Sequence, residues 1–428
     1  MKKLNLVHEW IGPTGPVSNT RIPNLADFYH RTTGTEMFPQ GLEPFYYFII
    51  YNSDIDVALK TPCMLTENER FIYELDMSYK KDWHSNFFIG KGILENTKIS
   101  DSILDKIKNK IGFLLFTTPM ESFLDSHMFH LMHQYFEVHS IPLTQIIYAT
   151  NSPNGKDVYK KFCDDRNIEP QINCEYIGMY ERLLITDTAN SISLLENTYT
   201  AGAKKKTFLN FNRRYRDQRF WFLLEIYKRG LLKDFHISFD KVQPEGTMSF
   251  FDRAKEVNIN MGVNLSEEDL IALDEKLPLV LDTNDFSVFP MEKNHIDTLS
   301  FYNDSLIHIA TETEFFSTII HVSEKTFKPI MFRQPFIFLG PPHILKFLKT
   351  TGYKTFSDFW DESYDDIEDH HQRMTTILSL IEKLASMTEE EKIELSNKVK
   401  DIVEYNFNQF INKPPTMLYD FTEKYGTE

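Results

Sequence analysis

Cysteine is almost absent from this chain: Cys63, Cys163 and Cys174 are the only three in 428 residues. They are odd in number and lack metal or redox spacing, which excludes a disulfide framework and predicts a reducing compartment. Positive charge is also short, with 46 Lys and Arg against 62 Asp and Glu and a formal net charge of −16. Sequence-independent grip on DNA or RNA needs clustered cations facing phosphates, so the overall balance argues against it and leaves room only for a local basic groove. The strongest apolar runs, residues 45–51 and 111–116, fall far short of the ~20 residues that cross a bilayer. At the N-terminus, MKKLNLVHEW resembles a signal peptide until His8 and Glu9 interrupt it, so no secretion signal is expected. The expected location is the cytoplasm, or host cytoplasm for a virus-encoded protein. Repeats and low-complexity tracts are lacking too, which excludes solenoids and propellers.

The remaining composition is globular, with 42% hydrophobic and 25% charged residues, and 50.5 kDa is too much chain for one core. Strand signals at residues 4–8, 45–51, 111–116, 145–149 and 172–176, with helical patterns between several of them, predict a parallel α/β layer structure. Residues 204–219, KKKTFLNFNRRYRDQR, hold seven basic residues against one acid, and this abrupt change places a domain boundary just before them. Residues 1–200 and 201–410 are the expected domains, with 411–428 as a C-terminal segment. In the second domain, residues 207–211, 236–239, 279–281, 306–310, 335–339 and 354–356 read as strands. A helix runs from Arg216, an acidic helix-like segment lies around 266–275, and another helix covers 344–348. The tail is helical, with apolar stripes at Leu378, Ile381 and Leu384, then Leu395, Val399, Ile402 and Val403, and a capping box at Thr388 and Glu391.

Chemistry concentrates in residues 323–329, Ser-Glu-Lys-Thr-Phe-Lys-Pro. Ser323 reads as a helix cap, with Glu324, Lys325 and Thr326 in the first turn and Lys328 one turn on. Backbone N–H groups free at that end, the helix dipole and the lysine charge would together favour a phosphate. Pro329 lacks the N–H for the Lys325 carbonyl and is expected to bend or end the helix early. The second cluster is Asn210, Asn212, Arg213, Arg214, Arg216 and Arg219, between a strand and a helix, where guanidinium groups can fork onto phosphate oxygens. A solvated basic face is the plainer reading of the same arginines.

The first domain offers less. Gly12 and Gly15 sit in a loop after the first strand, where backbone could approach a ligand, although a tight turn accounts for them and two glycines do not complete a dinucleotide fingerprint. After the 111–116 strand, Glu121 and Asp125 share a helical face and either could act as a general base, although for each residue alone capping of the next helix, where first-turn acids are common, is the reading to prefer. His127, His130 and His133 follow at spacings of three, which is poor for a metal, so they read as partly exposed helix residues, with His127 an active-site candidate. The acidic run 361–366 does not match a calcium loop and reads as a surface turn or packed cap.

The acidic Glu312-Thr313-Glu314, then Val322-Ser323-Glu324-Lys325, Pro335 and Gly340-Pro341-Pro342 resemble the C-terminal donor-site motif of α1,3-fucosyltransferase-like and exostosin-like glycosyltransferases. The segment from Asn210 to Arg219 is similar to the one that opens the donor domain in such enzymes. The resemblance spans roughly the C-terminal half. It implies a GT-B fold, two Rossmann-like domains facing across a cleft, with residues 411–428 returning to the first. It also implies a nucleotide sugar, UDP- or GDP-linked, as the only cofactor. Glu324 would hydrogen-bond the ribose, Lys325 would meet the diphosphate, and one or more of the arginines would share its charge.

Breaking a sugar–phosphate bond builds negative charge on the leaving diphosphate, which fixed Lys and Arg charges can stabilise in place of a metal. No convincing Asp-X-Asp site flanks a strand end, so metal independence is expected. Inversion by single displacement needs one base, for which Glu121 stands first and Asp125 and Glu9 in reserve. The acceptor is expected to be a glycan or other small hydroxyl compound. A hydroxylated base in viral DNA is an alternative that the acidity disfavours, and a non-catalytic nucleotide-binding or scaffold protein is another.

Overall fold

The computed structural model describes residues 2–7, 11–12, 15–16, 56–60, 62–76, 99–118, 126–178, 180–182, 184–185, 201–212, 215–241, 249–281 and 292–427. The chain forms two compact units, Met1–Arg182 with Pro414–Glu428, and Leu183–Lys413. The division falls at residues 182/183 rather than at the expected 200/201. The charge change at Lys204 therefore marks the approach to a strand within the second unit.

Unit 1 carries a six-stranded parallel sheet, built from β1 (Leu4–Val7), β4 (Val57–Lys60), β5 (Phe71–Asp76), β6 (Gly112–Thr118), β7 (Ile146–Thr150) and β8 (Asn173–Tyr176) in the order β4-β1-β5-β6-β7-β8. Every residue of β1 and β7 is buried, as expected of parallel strands covered on both faces. Phe71 pairs with Gly112 across β5 and β6, and a Cβ at Gly112 would lie 2.2 Å from the Phe71 ring, so only glycine lets that ring lie flat there. The helices α1 (Asp101–Lys108), α2 (Ser126–Val138) and α3 (Gly155–Asp164) follow, and α2 buries Phe129, Met132, Tyr135 and Phe136 at helical spacing. Strands β4 and β5 escaped the sequence reading, and the strand expected at 45–51 lies outside the described residues. Between β1 and β4, β2 (Ile11–Gly12) pairs antiparallel with β3 (Gly15–Pro16).

The C-terminal helix Thr416–Tyr425 belongs to unit 1. After it, Thr427 and Lys3 exchange backbone hydrogen bonds of 2.8 Å in both directions, and the Tyr425 ring meets Phe113 edge-on at 5.2 Å.

Unit 2 has a four-stranded parallel sheet of β9 (Lys206–Phe211), β10 (Phe235–Ser238), β11 (Ser305–Thr311) and β12 (Phe336–Leu339), in the order β10-β9-β11-β12. Helix α4 (Asp217–Lys228) joins β9 to β10. The chain then passes through α5 (Phe250–Asn260), α6 (Glu267–Asp274) and α7 (Glu292–Asp304) and crosses to the other side of β9 as β11. The strand order thus reverses between β9 and β11, and ligands of open α/β sheets bind at the carboxyl edge of such a switch point. Helix α8 (Glu324–Met331) joins β11 to β12, and α9 (Ile344–Thr350), α10 (His370–Ala385), α11 (Glu389–Lys398) and α12 (Lys400–Asn412) complete the unit.

Two expected strands of unit 2 are absent. Residues 279–281 give only an isolated antiparallel bridge from Leu279 to Phe239. At 354–356 no strand forms, because the Lys354 N–H and carbonyl are both taken, each at 2.8 Å, by the Asn406 side chain of α12. The capping box expected at Thr388 and Glu391 on α11 is formed, and Ser266 and Asp269 form another on α6. Among the described residues, no helix is long and apolar enough to cross a membrane.

Candidate functional site

Helix α8 starts where residues 323–329 predict. Ser323 is extended and its Oγ accepts from Lys325 N at 3.2 Å; Phe327, Ile330 and Met331 are buried at i, i+3 and i+4. Pro329 does not end the helix, which runs on to Met331, and Phe332 N bonds the Lys328 carbonyl at 2.9 Å. Proline removes a single bond near the start of a short helix whose inner face is already fixed by packing.

Beneath this start lies a carboxylate to which the sequence reading gave no role. Glu312, directly after β11, is fully buried. It accepts from Ser323 Oγ at 2.7 Å, Ser323 N at 3.3 Å, Thr313 N at 3.2 Å and the Thr326 hydroxyl. Thr326 N in turn bonds the Ser323 carbonyl at 3.1 Å. The N–H groups of Ser323, Lys325 and Thr326 therefore have internal partners, so fewer backbone N–H groups are open to a phosphate at this end than expected. Glu312→Gln should lower stability by roughly 2 kcal/mol, because an amide turns a donor toward groups that themselves donate; urea unfolding measures it, and an unchanged midpoint would contradict the assignment.

Lys325 Nζ stands 2.6 Å from Glu324 Oε1, with 27% and 21% of the two side chains exposed. Burial alone would raise the Glu324 carboxyl, but the charges of Lys325 and Lys328 outweigh it and hold the pKa at about 2. A depressed carboxylate contributes stability that is full above its ordinary value of 4.5 and is lost as pH falls toward about 2. Glu324→Gln should flatten the stability profile across that window, and parallel profiles would refute the coupling.

The β9 half is tied to the same edge. Asn210 Nδ2 donates to the Ile309 carbonyl at 2.7 Å and Thr311 Oγ1 at 3.0 Å. Gln218 Nε2, in the first turn of α4, donates to the carbonyls of Glu312 at 3.0 Å and Thr313 at 2.8 Å. Arg216 is the exposed N-cap of α4, whereas Arg219 is buried, 6% exposed. Arg213 and Arg214 lie outside the described residues. Asn212 is wholly buried beside Ser238 of β10, whose carbonyl accepts from its N–H at 3.2 Å.

From α10 the buried Arg373 fixes the loops around this edge. It donates to the carbonyls of Gly340 at 3.1 Å, Ile367 at 2.6 Å, Glu368 at 2.9 Å and Phe315, and lies 4.5 Å over the Phe315 ring. Burial lowers its pKa to about 10, so it stays charged at neutral pH. Nothing in the sequence marks it apart from other helix arginines. In the acidic run 361–366, Asp365 caps α9 through Leu345 N and Lys346 N, both at 3.0 Å, as the packed-cap reading expects. His343, Asp365 and Asp366 stand close enough to share a cation, but both Asp365 oxygens already accept these bonds.

In unit 1, Gly12 pairs with Gly15 across the β2–β3 turn, the plainer of the two readings. His127 is exposed in the first turn of α2, and His133 bonds the Tyr159 hydroxyl at 2.9 Å. Glu9, Glu121 and Asp125 lie outside the described residues. Compared with known proteins, the chain matches no protein-family model and no curated protein.

Proposed function

We propose that the chain is a nucleotide-sugar-dependent glycosyltransferase of the GT-B kind, with the donor held by unit 2. The observation that carries this reading is the switch point between β9 and β11. At its carboxyl edge a braced helix start bears Glu324, Lys325 and Lys328, and the next helix begins at Arg216. Glu324 accepts from ribose hydroxyls, and Lys325 and Lys328 bind the diphosphate. In the reaction an acceptor O–H attacks the anomeric carbon, the new C–O bond forms as the bond to the phosphate oxygen breaks, and the nucleoside diphosphate leaves with inversion. The acceptor proton passes to a carboxylate, for which Glu121 stands first and Asp125 and Glu9 in reserve. The acceptor is a glycan or small hydroxyl compound. The lysine and arginine charges carry the leaving group without a metal.

Isothermal titration with UDP-, GDP- and CMP-linked compounds tests the donor site: one should bind in excess chelator, and binding of none would refute the reading. A transfer assay with the ligand that binds then separates an enzyme from a nucleotide-binding scaffold, since a scaffold would bind it and release no free nucleotide.

A further inference from the structure

Asn212 directly follows β9 at the carboxyl edge of the unit 2 sheet. It is 0% exposed, yet among the described residues neither its Oδ1 nor its Nδ2 has a hydrogen-bond partner. Ser238, the last residue of β10, is 1% exposed, and its Oγ is also without a partner. The two residues are adjacent, since the Asn212 N–H bonds the Ser238 carbonyl at 3.2 Å. Two residues earlier, Asn210 spends its amide N–H groups on the fold through Ile309 and Thr311. Buried amides and hydroxyls are normally paired, so two unpaired ones side by side at the carboxyl edge, one strand pair from the switch point, call for a ligand or a trapped water. The atoms say what kind of ligand. An anion only accepts, so a phosphate could satisfy Nδ2 and the Ser238 hydroxyl but would leave Asn212 Oδ1 orphaned. A group that also donates completes the set.

We infer that Asn212 and Ser238 form an uncharged, specificity-setting half of the unit 2 site, taking a neutral ligand edge that both donates and accepts hydrogen bonds. Adjacent hydroxyls of a sugar ring have that chemistry, and so does the amide edge of a nucleobase. The inference rests on the nucleotide-sugar reading and divides the work within it: charge at α8 for the phosphates, neutral hydrogen bonds at β9 and β10 for identity. A site built to pair such an edge discriminates strongly, because the wrong ligand leaves its polar groups unsatisfied.

The test is isothermal titration of the full chain and of Asn212→Ala and Ser238→Ala with inorganic pyrophosphate, UDP, GDP, UDP-glucose and GDP-mannose. Asn212→Ala should weaken the preferred nucleotide or nucleotide sugar about tenfold, roughly one lost hydrogen-bonded edge, while pyrophosphate binding stays within about twofold. Loss on both the nucleotide and its sugar conjugate assigns the edge to the base; loss on the conjugate alone assigns it to the sugar. The urea midpoint of Asn212→Ala should equal or exceed wild type, because the substitution removes an unpaired buried amide. Variants that bind every probe like wild type, or that lose pyrophosphate equally, would overturn the inference and leave the nucleotide-sugar reading standing. Wild-type protein that binds none of the probes would overturn both.

Discussion

Replacing Arg373 with alanine should destabilise unit 2 by roughly 4 kcal/mol, the largest stability loss expected of a single change near the candidate site. The guanidinium donates to four backbone carbonyls, those of Phe315, Gly340, Ile367 and Glu368. Each buried carbonyl left unpaired costs about 1–3 kcal/mol, and water entering the vacated space recovers part of the sum. The arginine is 1% exposed and packs on Phe315, so truncation also opens a cavity against an aromatic ring. Urea unfolding followed by tryptophan fluorescence measures the loss, since Trp221 and Trp360 both lie in unit 2. Arg373→Lys should recover less than half, because an ammonium cannot reproduce the planar fork. A loss under about 1 kcal/mol would mean that the carbonyls find other donors. The effect should reach the ligand site, because the loop that Arg373 pins through Phe315 begins next to Glu312.

The largest expected effect on binding is that of Lys325→Ala. It should weaken a nucleoside diphosphate about 10- to 100-fold, equivalent to one charge-assisted hydrogen bond, and change nucleoside affinity less than about threefold. The internal bonding of α8 makes this lysine more important than a helix-start lysine usually is. With the N–H groups of Ser323, Lys325 and Thr326 already engaged, more of the load falls on fixed side-chain charge than at a helix start with free backbone donors. Removing Lys325 also leaves the Glu324 carboxylate facing the phosphate with only Lys328 to offset it, so repulsion adds to the lost attraction. The difference between wild type and variant should shrink as salt rises, because both side chains are partly exposed. Equal losses for nucleoside and nucleoside diphosphate would contradict the phosphate role.

Much of this was legible in the chain because it is local. Ser323 as a cap, the Thr388–Glu391 box and the stripe at Leu378, Ile381 and Leu384 each depend on residues within a few positions, and side-chain periodicity reports burial directly. Strands β9, β11 and β12 stood out because parallel strands buried on both faces are short, nearly continuous apolar runs. Strands β4 (VALK) and β5 (FIYELD) did not, since each mixes charge into the run. Residues 354–356 show the opposite limit: a short local pattern says nothing about whether a ladder partner or the Asn406 side chain takes the backbone bonds.

The sequence by itself determined the α/β class, the parallel strands of unit 2 and the helix start at Ser323. Only the tertiary structure decided how that start is bonded, because the groups that settle it are distant in the chain. Glu312 meets Ser323 across 11 residues, Asn210 meets Thr311 across 101, and Arg373 meets Phe315 across 58. Helix and strand periods carry no information about which acceptor arrives from another strand. The Glu312 carboxylate takes the Ser323 N–H and the Ser323 and Thr326 hydroxyls, partners that the local pattern at the helix start does not announce.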